Sequence, residues 1–388
     1  MQIVGIKVVN LYGLHHYDIL LDRKECLKII HAPNGYGKTT ILRLIKDILE
    51  GDYRAIYAVP FESFTMIFDN QDELKILKNE QLLVYCFTGH GEQETYEVSR
   101  NQSSDELIYL EKRLQKIHQE MPIYLIDASR LWIEKRNDGD EASSFLPTVL
   151  EYARELSEWM REALAEANYC GQERDRSFPV RLIESIQNQS EPYLNLQEIE
   201  VALRELEETR MILQQAGLYT KATHEMSYAL EEGGQSNEMM CKVLTLYIAD
   251  SKEKLKPFEG LATKIHLLCE LINKRFSYKV MEVTMKEGFV FKTPNQERLK
   301  ADKLSSGEQN QLILMFKLLF KSPNNAMILI DEPEISLHIA WQQSFLEDME
   351  AIAKLSNIRM MIATHSPDII NGRWDLTSGL EEASCEPI

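Results

Sequence analysis

Residues 32–39 read Ala32-Pro33-Asn34-Gly35-Tyr36-Gly37-Lys38-Thr39. A strand-like run, 26–30 (CLKII), precedes them; a helical one, 39–50 (TTILRLIKDILE), follows and Gly51 ends it. Strand, Gly-rich loop and helix in that order are the setting of a phosphate-binding loop. Its backbone N–H groups and the helix N-terminus make a nest for anionic phosphates. Gly35 and Gly37 let the backbone approach closely. Lys38 is expected to reach the β- and γ-phosphates, and the Thr39 hydroxyl to hold Mg²⁺. Asn34, Gly35, Tyr36, Gly37, Lys38, Thr39 and Thr40 are therefore the expected ATP contacts. The first position of the usual GxxxxGK[ST] is Ala32 here. A plain Gly-rich turn before a helix is the alternative, and GKT in this setting weighs against it.

Three further stretches fit a nucleotide site. In 326–338 (AMILIDEPEISLH) an apolar strand runs into Asp331-Glu332. Asp331 at the strand end would hold Mg²⁺ through water, and Glu332 would polarise the attacking water. In 304–311 (LSSGEQNQ), Ser305, Ser306, Gly307 and Glu308 stand where a helix begins, so hydroxyls and N–H groups there form a second anion site. One domain already has its own phosphate loop. A second cradle makes sense if it serves the nucleotide of a facing copy. In 364–368, Thr364-His365-Ser366-Pro367-Asp368 follow the apolar strand 359–363. A histidine at that strand end can contact the γ-phosphate and report its loss.

Length and composition set the frame. At 388 residues, with 44% hydrophobic and 27% charged, the chain has room for two or three domains and a sizeable core. No apolar run reaches the ~18–20 residues of a membrane helix, and the opening MQIVGIKVVN reads as a strand and not a leader, so a cytoplasmic protein is expected. The six cysteines are scattered without a CxxC pair, which suits reduced thiols. His15-His16 has no matched ligand set, so no metal besides Mg²⁺ is expected. A net charge of −18 argues against the whole surface binding nucleic acid passively.

The ends and the middle differ. Strand-like runs stand at 2–9, 64–68, 82–87, 123–126, 278–285, 289–292, 326–330 and 359–363. Between about 140 and 275 the pattern is helical. Val149, Ala153, Leu156, Met160, Ala163 and Ala167 recur in steps of three and four, as do Leu196, Ile199, Leu203, Leu206, Arg210 and Leu213. This reads equally as a short coiled-coil seam and as amphipathic helices on a core. Residues 168–195 read as turns, with Arg174 and Arg176 in a solvated loop; 231–237 read as a break and 377–388 as a loose tail. The expected domains are 1–135, a first lobe with the phosphate loop; 136–276, a helical insertion; and 277–388, a second lobe.

The four motifs in this order resemble the ATP-binding cassette superfamily, over about 1–90 and 278–375. The resemblance implies an α/β head with a helical, possibly short coiled-coil, insertion. It implies Lys38 and Thr39 on the phosphates and Mg²⁺, Asp331 as magnesium aspartate, Glu332 as catalytic glutamate, and His365 as switch histidine. Ser305 and Gly307 would act on the ATP of an opposing copy, and Ser336 to His338 would form the contact loop between two sites. The chain would then pair with itself as an ATP-sandwich dimer or a higher oligomer. Ser306 and Glu308 depart from the transporter LSGGQ and match the SMC-like branch. Ser129-Arg130 falls where the glutamine loop is sought, but no glutamine is there. Within that branch the chain resembles the small OLD-like ATPases of the Septu, PARIS and retron anti-phage systems. On that resemblance, the expected function is an ATPase subunit of a defence complex that senses invasion and controls a separate nuclease or toxin, with DNA or a phage protein as a further candidate partner. The alternative is a RecF- or SMC-like DNA-repair ATPase that binds DNA itself. A transporter motor fits worse, because of the long insertion and LSSGE. Tyr12 is the nearest aromatic for stacking on adenine, but it reads first as a core tyrosine.

Overall fold

The computed structural model describes residues 1–89, 92–99, 105–126, 132–135, 144–188, 192–219 and 236–380. The chain divides into two compact units: 1–130 with 314–388, and 131–313.

The first unit holds two sheets. Five strands lie parallel in the order Thr377–Gly379, Leu27–His31, Arg359–Thr364, Met327–Asp331 and Ile123–Ile126. The three central runs, Leu27–His31, Arg359–Thr364 and Met327–Asp331, are mostly apolar, as strands covered on both faces must be, while Thr377–Gly379 at the edge is Thr-Ser-Gly. Six strands form an antiparallel sheet in the order His15–Leu20, Ile3–Leu11, Ser63–Phe68, Glu73–Lys78, Leu82–Gly89 and Glu92–Ser99. Here one face is buried in alternation: Phe64, Met66 and Phe68 on one strand, Leu74 and Ile76 on the next, Leu83, Tyr85 and Phe87 on the third.

The helix Lys38–Glu50 belongs to the same core as both sheets. It buries Ile41, Leu42, Leu44, Ile45, Ile48 and Leu49, each contributing roughly 1.5–3 kcal/mol. Gly51, left-handed at φ 73°, closes it. The tail reading of 377–388 is corrected in its first part: Thr377–Gly379 pairs with Leu27–His31, and Leu380 is buried. Residues 381–388 lie outside the described residues.

The second unit contains the helices Thr148–Gln187, Leu196–Gln215 and Ser236–Arg275 and a three-stranded antiparallel sheet, Val280–Thr284, Gly288–Lys292 and Arg298–Leu299. Every apolar position in the first three-four run, Val149 to Ala167, is buried. Part of that face packs on the strand hairpin: at Gly288 (φ +68°) a Cβ would stand 1.9 Å from the Ala153 carbonyl oxygen. The Ser157 hydroxyl also donates to the Met285 carbonyl at 2.7 Å. Amphipathic helices on a core therefore describe this stretch better than a free two-helix seam. The second run buries Ile199, Leu203, Leu206 and Leu213; Ile199 and Leu203 pack with Cys241 and Ile248.

The turn reading of 168–187 is overturned, because the helix Thr148–Gln187 runs through Gly171 and Pro179. The helix Ser236–Arg275 holds it there. Arg181 grips the buried Asp250 with two bonds, 2.6 and 2.7 Å, and Arg174 lies 3.6 Å from the same carboxylate. Arg174 is thus an ion-pairing helix residue and not part of a solvated loop. The break read at 231–237 falls mostly on residues outside those described; Ser236 already begins a helix.

Candidate nucleotide site

The strand Leu27–His31 delivers the phosphate-loop sequence to the carboxyl edge of the parallel sheet. His31 is level with Thr364, and Ala363 with Asp331, so three strands end together. Polar groups placed after strand ends converge at one edge in folds of this kind.

The loop meets the geometry its residues predict. Gly35 and Gly37 are left-handed at φ +93° and +80°. At Gly37 a Cβ would also stand 2.7 Å from Leu11 Cδ2, so glycine is required twice over. Lys38 is buried, and its Nζ donates to the carbonyls of Ala32 (2.8 Å) and Pro33 (3.1 Å), across the loop. Gly37, the helix N-cap, supplies no side-chain acceptor to the first-turn amides. Asn34 is exposed, and Tyr36 and Thr40 are half-buried. The Tyr17 hydroxyl donates to the Tyr36 carbonyl at 2.9 Å, and His15 stacks on both Tyr17 and Tyr36, with centroids 5.6 and 5.4 Å away. The His15-His16 pair is therefore a prop for the loop through its first member.

Thr39 Oγ1 donates to Asp331 Oδ1 at 3.0 Å, which joins the two halves of the expected magnesium pair. Burial pushes the Asp331 carboxyl up; the Thr39 hydroxyl opposes this and the neighbouring Glu332 charge adds to it. A hydroxyl and a carboxylate oxygen this close are hard donors of the type Mg²⁺ takes. Glu332 is left-handed at φ 43°, ψ 60°, a costly conformation for a glutamate, and its N–H donates to the Ala363 carbonyl. His365 Nδ1 lies 3.7 Å from Glu332 Oε1 and 3.1 Å from Glu334 Oε1. Lys38, Thr39, Asp331, Glu332 and His365 are thus brought to one sheet edge. His338 stands in the loop after Glu332 and caps the short helix Ile339–Gln342 through Nδ1, 3.3 Å from Ala340 N; Ser336 ends the preceding 3₁₀ turn.

Ser305, Ser306, Gly307 and Glu308 belong to the second unit. The helix Ser306–Phe316 starts there as expected, but an anion of the chain's own holds its start. Glu308 Oε2 accepts from Ser305 N (2.8 Å) and Ser305 Oγ (2.9 Å), and Lys279 Nζ reaches both carboxylate oxygens at 2.8 Å. Burial works against this charge, but Lys279 and the Ser305 donors prevail and hold the Glu308 carboxyl below its usual range. The arrangement is a capping box, with Ser305 as cap.

One reading is overturned and two further residues, His31 and Glu334, escaped the sequence. Tyr12 is 43% exposed and left-handed at φ 57°, with its hydroxyl 2.7 Å from Thr40 Oγ1, which overturns the core reading. His31 meets Trp374 edge-on at 5.6 Å; burial, then the Lys38 and His365 charges, push its imidazole down. Glu334 lies buried beside His365, with its Oε1 3.1 Å from Nδ1. Ser129-Arg130 lies outside the described residues.

A strand–loop–helix nest with Lys38 inside, facing Thr39–Asp331, defines a protein of the P-loop ATPase class. The family model for the AAA ATPase domain matches residues 1–370, and the chain belongs to that family. No curated protein matches it. Among solved structures, the Smc head domain with an extended coiled coil bound to the C-terminal domain of ScpA, derived from Pyrococcus furiosus, is 13% identical. That match covers 95% of this chain and 90% of its own, with a TM-score of 0.39. An SmcHead bound to the C-winged helix domain of ScpA is 11% identical over 95% and 91% (TM-score 0.42). The SMC head domain from Thermotoga maritima is 12% identical over 98% and 94% (TM-score 0.37).

Proposed function

We propose that the chain binds and hydrolyses ATP at this edge and uses the cycle to engage and release a second copy of itself, thereby controlling a separate effector protein in anti-phage defence. The observation that carries the ATPase part is the meeting of Lys38, the 3.0 Å Thr39–Asp331 pair, Glu332 and His365 at the ends of three parallel strands.

Each residue has a task that its position supports. The amides of 35–40 and the Lys38 ammonium would bind the β- and γ-phosphates, and Asn34, Tyr36 and Thr40 would line them. Thr39 and Asp331 would hold Mg²⁺, which when bound neutralises phosphate charge. Glu332 would orient the attacking water and take its proton, and His365 would donate to the terminal phosphate. Ser305, Ser306, Gly307 and Glu308 would face the nucleotide of the other copy, and Ser336 to His338 would link the two sites. Loss of the γ-phosphate would remove what bridges the copies.

A protein effector is favoured over direct DNA contact by the charges of the helical unit. Residues 138–166 hold eight carboxylates against two arginines, a balance that repels phosphate. The test compares wild type, Lys38→Ala and Glu332→Gln. Wild type should turn over ATP; both variants should lose at least about a hundredfold in rate. Glu332→Gln should sediment as a dimer with ATP-Mg²⁺, and Lys38→Ala should not. A monomeric Glu332→Gln protein at saturating ATP would sink the engagement cycle. Tagged Glu332→Gln should also co-purify with a stoichiometric nuclease or toxin-like protein from its host; recovery of DNA alone, lost in high salt, would shift the reading to a repair ATPase.

A further inference from the structure

Glu334 is a buried carboxylate two residues past Glu332, with its side chain 7% exposed. Its Oε1 accepts from the Thr364 hydroxyl at 2.7 Å and from the His365 backbone N–H at 2.9 Å, and faces His365 Nδ1 at 3.1 Å. Its Oε2 is buried without a protein partner. Glu332, the other carboxylate near this ring, stands farther from Nδ1, at 3.7 Å, and both contacts are ion-pair distances.

The turn that carries His365 is braced from its other side. Thr364 Oγ1 accepts from Ser366 N (3.0 Å), Ser366 Oγ donates to Gln342 Oε1 (2.7 Å), and Gln342 Nε2 donates to the Leu337 carbonyl (3.3 Å). The main chain at 364–366 is therefore held from both sides, by Glu334 and by Gln342. What a buried carboxylate adds is charge facing one edge of the imidazole. Such a group is costly where an oxygen goes unpaired, so its presence asks for a task.

We propose that Glu334 is the positioning residue for His365: it holds a proton at Nδ1 and locks the ring so that Nε2 is the edge presented to the terminal phosphate. A carboxylate set behind a histidine fixes both which nitrogen carries the proton and which way the ring faces. This rests on the ATPase reading above; the placement of the proton can be tested apart from it.

Two measurements decide it. In steady-state kinetics, Glu334→Gln should lower kcat about tenfold or more while KM for ATP changes less than about twofold, the pattern of a lost transition-state contact. The double variant Glu334→Gln/His365→Ala should be no slower than His365→Ala alone, because both act through one group. Retained kcat in Glu334→Gln, or a double variant as slow as the product of the singles, overturns the proposal. In the second measurement, ¹⁵N-histidine NMR of wild type, with His365→Ala used for assignment, should show a proton on His365 Nδ1. A bare Nδ1 overturns the proposal, even if Glu334→Gln fails to fold. If wild type does not hydrolyse ATP, the ATPase reading falls, and the spectrum still judges the Glu334–His365 pair.

Discussion

His31 shows how much chemistry one position next to a phosphate loop can carry. Its imidazole is held below the usual 6.5 by burial first, then by Lys38 and His365, with Glu334 pulling the other way. In the window between that depressed native value and 6.5, the unfolded chain binds more protons at His31 than the folded one. Stability therefore rises with pH across the window and is lost as pH falls through it. A His31→Phe variant should lack this slope, and the check is the melting temperature of both proteins from about pH 7.5 down to about pH 5. Unequal slopes support the assignment; equal slopes refute it. The convergence of Lys38, Thr39, Asp331, Glu332 and His365 on one sheet edge was legible because each stands at or just past the end of an apolar strand in the sequence. Glu334 was in plain view within DEPE, yet nothing local distinguishes it: its task is set by Thr364 and His365, thirty positions on.

At the scale of elements, His15–Leu20, Glu73–Lys78, Glu92–Ser99 and Thr377–Gly379 went unread because they mix polar with apolar residues, whereas the strongly apolar strands could be read within a residue or two. The helix Thr148–Gln187 could not. Pro179 removes a backbone donor and Gly171 lowers helix propensity, so local chemistry alone favours a turn. The partners that override it come from Ser236–Arg275, about seventy residues later, above all Asp250 against Arg181. Removing one member of such a pair strands the other. Arg181→Ala should destabilise the helical unit by about 2–4 kcal/mol, moderated because Arg174 is also near Asp250. Urea unfolding followed by circular dichroism measures this. A variant as stable as wild type would mean that apolar packing alone keeps the helix continuous past Pro179. The signature stretch has a related lesson. Its helix start was foreseen, but not that Lys279, from the segment before the sheet strand Val280–Thr284, would clamp Glu308 into the cap.

At the scale of the molecule, the first unit is assembled from both ends of the sequence around the inserted second one. The expected lobes at 1–135 and 277–388 followed motif positions; contacts place the boundaries at 130 and 313. The nested order has a consequence during synthesis. In the parallel sheet, Leu27–His31 lies between Arg359–Thr364 and Thr377–Gly379. These neighbours leave the ribosome about 330 and about 350 residues after it, some tens of seconds later at ~5–20 residues per second. Through that interval an apolar strand and its Gly-rich loop have no sheet partner, while the antiparallel sheet, complete by Ser99, can already form. A nascent chain released after Ser356 should accordingly fail to bind a fluorescent ATP analogue, and should draw chaperones or aggregate. Binding by that fragment would show that the loop needs no flanking strands. If binding does fail, only a copy translated through Gly379 is competent to engage another, and translation interrupted before that point leaves no half-active ATPase behind.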